Sequence, residues 1–93
     1  VKTNKVNSTE FKIQIASGIN KISTKSYNFN GLKNISRTKS KSIYRYFYGN
    51  TSSYDAVVLL QKEALVKGYK GAFVVAYRNG KKIAIKTDLK STE

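Results

Sequence analysis

One segment of this sequence carries a sustained helical period, and runs dense in strand-forming residues bracket it. Between Ser52 and Gly68, Val57, Leu60 and Ala64 fall on one helical stripe, widened by Ala56, Leu59 and Leu65. Ser52 and Asp55 stand at capping-box spacing, with Asp in place of the usual Glu, so the helix is expected to start at Ser52 or Ser53. Lys67 suits the negative end of the helix, and Gly68 supplies a left-handed C-terminal cap with Tyr69 just beyond. Before the helix lies Ile43–Tyr48, IYRYFY. Its alternation places Tyr44, Tyr46 and Tyr48 on one face of a strand, with Arg45 and Phe47 on the other. After the helix, Ala72–Tyr77, AFVVAY, is an apolar run short enough for a central strand. Asn79-Gly80 is a strong two-residue hairpin signal, and Lys81–Ile85 is expected to return antiparallel as a short, lysine-bearing edge strand.

The N-terminal half is less regular. Phe11-Lys-Ile-Gln-Ile15 alternates, so Phe11, Ile13 and Ile15 should point inward while Lys12 and Gln14 share the opposite face. From Ser17 to Ser42 the chain is rich in Ser, Asn, Thr and Lys, and neither helical nor strand period persists. It reads as a long ordered loop with one short helical turn near Asn30-Gly31-Leu32 and a brief strand around Ile35; loops of this length in small domains are often functional. Tyr27 and Phe29 are expected to cover an edge of the core. Residues 1–10 read as a linker or frayed terminus, 11–85 as the domain, and 86–93 as a tail. Such tails suit a module of a longer protein. No cleavable signal or membrane anchor is read in these residues, so export would require a targeting segment upstream of Val1.

Composition narrows the function. The 93 residues include 18 Lys or Arg and 5 Asp or Glu, a formal charge of +13, and no Cys, His or Met. One domain of this size buries about 60–65 % of its unfolded surface, which leaves little room for an enclosed active site. The missing residue types exclude disulfides, thiolate or imidazole zinc sites, haem ligation and nucleophile–histidine catalysis. The acids Glu10, Asp55, Glu63, Asp88 and Glu93 are placed badly for paired-carboxylate chemistry. The chain therefore reads as a binder without catalytic residues, metal or cofactor. From Phe11 to Tyr54 there is no acidic residue, while Lys12, Lys21, Lys25, Lys33, Arg37, Lys39, Lys41 and Arg45 fall inside. A single-sign stretch of that length draws anions.

FKIQIAS with its Gln14, then YRYFYG followed by SSYDA, a helix ending KGY, and the strand AFVVAY together resemble the SPOR (sporulation-related) domain, a bacterial cell-wall module. The resemblance spans Phe11 to about Ile85, and AFVVAYRNGKKI is similar to the branch at the C-terminus of N-acetylmuramoyl-L-alanine amidases. It implies an α+β fold of the ribonucleoprotein or ferredoxin-like kind, a four-stranded antiparallel sheet with helices on one face only; the residues themselves supply one main helix and leave four strands or four with a short fifth as alternatives. It also implies binding to peptidoglycan glycan strands stripped of stem peptides, at the division septum in the cell envelope or periplasm. The glycan-binding candidates carried over are Lys12, Gln14, Ser17, Arg45, Phe47 and Val74. Phe73 and Val75 align with core positions of the family, which would leave Val74 and Ala76 on the open face. The chain departs from the family in having Ala16-Ser17 for Gly-Ser, Gly49-Asn50-Thr51 for Gly-Pro-Phe, and no counterpart of the first helix between Ile19 and Leu32.

Chemistry suits that ligand. Amidase action frees one carboxylate per disaccharide, so a stripped strand is a polyanion. Arg45 can pair with a carboxylate in bidentate fashion, Gln14 can serve N-acetyl and hydroxyl groups, and Phe47 would offer a plate for a pyranose ring. The alternative partner is single-stranded nucleic acid on the same basic, aromatic face, although the aromatic-rich octapeptide of RNA-recognition domains is missing. A membrane-surface anchor lacks its basic amphipathic helix, and no direct membrane insertion is expected. The module is expected to be monomeric.

Overall fold

In the computed structural model, which describes residues 9–85, the chain is an α+β domain built on a five-stranded antiparallel sheet and one α-helix. The strands are β1 (Thr9–Gly18), β2 (Ile35–Ser40), β3 (Ile43–Thr51), β4 (Phe73–Arg78) and β5 (Lys81–Ile83); the helix α1 is Tyr54–Val66. Their order across the sheet is β2-β3-β1-β4-β5. Thus β3–α1–β4 is a crossover with β1 inserted between its two strands, the split arrangement of ferredoxin-like domains. The tail expected over 86–93 and most of the linker expected over 1–10 lie outside the described residues. Thr9 and Glu10 belong to β1, ahead of Phe11 where the alternation begins.

Between β1 and β2, where a second crossover helix would sit, the chain makes only a 3-10 turn at Ser26–Asn28, earlier than the turn expected near Asn30. Side chains tie this loop down. The Tyr46 hydroxyl accepts from the Ile22 backbone N–H at 2.8 Å and donates to the Asn20 carbonyl at 3.1 Å, while Arg37 Nη1 donates to the Ile22 carbonyl at 2.7 Å. Phe29 and Leu32 plug the core in place of a helix, and Phe29 packs on Tyr46 with ring centroids 5.4 Å apart. Tyr27, expected at the core edge, is 76 % exposed instead. It belongs to the 3-10 turn, none of whose residues is buried.

The helix begins within the expected Ser52–Ser53 window, but Ser53 rather than Ser52 caps it, which puts Ala56 and not Asp55 at the capping-box position. Ser53 is the N-cap and its side chain accepts from the Ala56 N–H. At the other end Gly68 takes φ +105°, and the bonds Gly68 N–H to Leu65 carbonyl and Tyr69 N–H to Ala64 carbonyl close a Schellman motif. Val57 and Ala64 bury against Phe11, Ile13, Tyr46 and Ala76 of the sheet. Leu59 and Leu65, expected to widen that stripe, are exposed.

Candidate functional site

Two irregularities in β1 and β3 decide what the uncovered face of the sheet presents. Between the pairs Gln14↔Phe47 and Ala16↔Tyr46, β1 advances two residues while β3 advances one, so Ile15 is an extra residue in the ladder. Such a bulge reverses the inside–outside alternation beyond it. Ile15 and Ala16 both pack against the helix-side core, and Ser17 turns to the face shared by Lys12 and Gln14, opposite Arg45. The second irregularity lies between Ile13↔Tyr48 and Phe11↔Thr51, where Gly49 adopts φ +77°.

Five of the six candidates therefore meet on one face, the one turned away from α1. Gln14 is paired with Phe47 on one side and Phe73 on the other, Lys12 with Val75, and Ser17 with Arg45. Among the described residues no helix packs on this face. The sixth candidate is corrected. Val74 pairs with Ile13 and packs into the helix-side core, as does Ala76, which is fully buried opposite Phe11. The register sends Phe73, Val75 and Tyr77 to the open face instead. Both sets of β4 side chains are largely apolar, so alternation alone could not say which set faces the helix.

Phe47 is also corrected, in its role. It lies on the expected face but has no exposed area. The Tyr77 ring meets it edge-on, centroids 5.9 Å apart at 85°, and Lys12 Nζ sits 5.6 Å from the Phe47 centroid and 5.1 Å from that of Tyr77. Ring quadrupoles attract the ammonium, so Lys12 is held over the pair by about 0.5–1 kcal/mol per contact. Phe47 cannot be a sugar plate; it is the base of a small second core with Val75. The aromatic that this face offers to a ligand is Phe73, 44 % exposed and directly opposite Gln14. The family resemblance puts Phe73 at a core position, and the pairing of β1 with β4 overturns that parity.

Two depressions open here. One, of about 460 Å³, is lined by Lys12, Asn34, Ile35, Ser36, Gly49 and Asn50. The other, of about 400 Å³, brings Thr38, Lys39, Ser40 and Arg45 of the β2–β3 side together with Tyr77, Gly80 and Lys82 of the β4–β5 hairpin. The sheet curls enough for its two edges to contribute to one cleft, where Arg45 and Lys82 focus their charge, while Lys39, paired with Tyr44, turns to the other face with Nζ 5.4 Å from the Tyr44 centroid. What this arrangement can do chemically is hold anions and hydroxyl-bearing ligands. No group of three potential metal-ligating side chains occurs among the described residues, and none of their helices is long and apolar enough to cross a membrane. No family model matches this chain, and no curated protein or solved structure matches it.

Proposed function

We propose that the chain is a non-catalytic peptidoglycan-binding module that recognises glycan strands stripped of stem peptides and carries a parent protein, an amidase in the closest resemblance, to the septal cell wall. The observation that carries this reading is the meeting of Lys12, Gln14, Ser17 and Arg45 on a sheet face that α1 leaves uncovered. The order of motifs resembling the SPOR domain supports it, as does a strand order suited to such a domain. In this reading Arg45, with Lys82 beside the same cleft, pairs with a freed lactyl carboxylate. Gln14 and Ser17 serve sugar hydroxyl and N-acetyl groups, and Phe73 packs on a pyranose ring. Each contact contributes about 0.5–1.5 kcal/mol net, so affinity comes from a row of them along an extended polymer. Neither a cofactor nor a second copy is needed.

The test is a pull-down with intact sacculi. Binding is expected to rise after amidase treatment and to vanish once the glycan strands are digested. Equal binding before and after amidase treatment would defeat recognition of the freed carboxylate. The charge of +13 and the ribonucleoprotein-like strand order favour single-stranded nucleic acid as the second reading. That partner predicts affinity falling steeply with salt, whereas a glycan held by hydrogen bonds and ring packing depends on salt less. A steep salt slope on an oligonucleotide together with no retention on sacculi would reverse the choice.

A further inference from the structure

Helix α1 is apolar on two sides, and the sheet uses only one of them. Val57 and Ala64 are buried against the strands, while Leu59 is 60 % and Val66 84 % exposed. Seven residues apart, Leu59 and Val66 lie on the same side of the helix about 10 Å from one another. They form a wall of a groove of about 680 Å³ between α1 and the loop 31–33, with Leu32, Tyr48 and the side chains of Lys33, Lys62 and Lys67 completing it. The groove is preformed. Asn30 Nδ2 donates to the Lys67 carbonyl at 2.9 Å, tying the loop to the helix end, and the Gly49 N–H donates to the Asn34 carbonyl at 3.0 Å. Its one acid, Glu63, accepts a 2.6 Å hydrogen bond from the Tyr48 hydroxyl, and Lys33, Lys62 and Lys67 share the lining of the groove with it.

We propose that this groove is a docking site for an acidic, amphipathic helical segment of a partner protein. An apolar floor two helical turns long takes side chains at i, i+3 or i+4, and i+7, the spacing by which a helix lies in a groove. The lysine rim selects carboxylates on either side of that stripe. A second copy of this chain is the wrong occupant, because it would bring the same lysines and the same excess of +13 against them. The groove lies across the sheet from the proposed glycan face and does not depend on it.

The experiment titrates the isotope-labelled chain with a short synthetic helix-forming peptide bearing leucines on one face and glutamates on the other, read by amide chemical shifts. Shifts are expected to cluster at 31–33 and 59–67. The double variant Leu59→Ser, Val66→Ser should weaken binding by about tenfold or more, equivalent to at least ~1.4 kcal/mol. It should leave the melting temperature unchanged, because both side chains are exposed. The same peptide with lysine for glutamate should cause no shifts. The proposal is overturned by unchanged affinity in the double variant, by equal binding of the lysine peptide, or by shifts confined to the open sheet face. Concentration-dependent shifts at 59–67 without peptide, which mark self-association, also overturn it. So does groove-dependent binding to anionic phospholipid vesicles when the peptide fails to bind. Sacculus binding by the double variant is expected to be unaffected, so this proposal and the glycan reading fail separately.

Discussion

Gly49 occupies a position that no other residue fills cheaply. Its φ of +77° lies in the left-handed region, and a Cβ there would meet Leu60 Cδ1 at 2.6 Å, where α1 comes closest to β3. Because the Leu60 tip can rotate aside, the left-handed φ sets the cost, and Gly49→Ala is expected to cost about 1–3 kcal/mol in urea denaturation; a change within experimental error would mean that residue 49 is not left-handed. Arg45 and Gln14 behave oppositely, since both are half-buried on the open face rather than part of the helix-side core. Arg45→Ala and Gln14→Ala should weaken sacculus binding while leaving the melting temperature nearly unchanged. A large loss of stability in either would show the two faces to be inverted. Tyr48 supplies a pH dependence. Its hydroxyl bonds to Glu63, and that bond, burial and the nearby carboxylate push its pKa up to about 12. Folding thus favours the protonated phenol. The stabilisation is complete below the ordinary tyrosine pKa of about 10 and is lost as pH rises through about 12. Tyr48→Phe should remove that alkaline loss, as followed by denaturation midpoints across this window.

At the scale of elements, the two hairpins make a useful pair. Asn79-Gly80 takes φ values of +55° and +80°, as its residues prefer, whereas the β2–β3 turn places Lys41 and Ser42 at +53° and +71°. Both side chains there carry a Cβ penalty that Asn-Gly relieves. Lys41→Asn with Ser42→Gly is expected to stabilise the fold by about 1–2 kcal/mol, measured as a higher denaturation midpoint; no gain would argue against the left-handed turn. The same contrast explains what could be read from sequence. β3, α1, β4 and the Asn79-Gly80 turn announce themselves through local pattern and turn chemistry. β2 shows only as the brief strand expected around Ile35, because Ile35-Ser-Arg-Thr-Lys-Ser40 holds a single apolar residue and owes its six-residue length to pairing with β3. The bulge at Ile15 is equally silent, since an extra residue in a ladder is defined by the partner strand. Lys12, Gln14 and Arg45 were legible as a group through simple alternation. The burial of Phe47 was not, because it depends on Tyr77 arriving from a strand thirty residues later through the curl of the sheet.

The whole molecule carries its charge in a thin body. A formal +13 on 93 residues means self-repulsion opposes compaction. Salt shortens the reach of that repulsion to roughly 8 Å at physiological ionic strength. The melting temperature is therefore expected to rise as salt is added from a low starting value; a flat profile would indicate that the lysines lie too far apart to repel. The covering of the sheet is uneven as well. The helix α1 lies over β1, β3 and β4, while β2 and the adjoining part of β3 are roofed by the stretch between Ile19 and Asn34, held by the Tyr46 hydroxyl and by Arg37. This irregular backbone is anchored by scattered side-chain bonds and by buried Phe29 and Leu32 rather than by a continuous hydrogen-bond ladder, so it opens at lower free energy than the half under the helix. Amide protons beneath that roof should exchange with solvent sooner than those under the helix, so the domain's weakest seam is built into the crossover that never became helical.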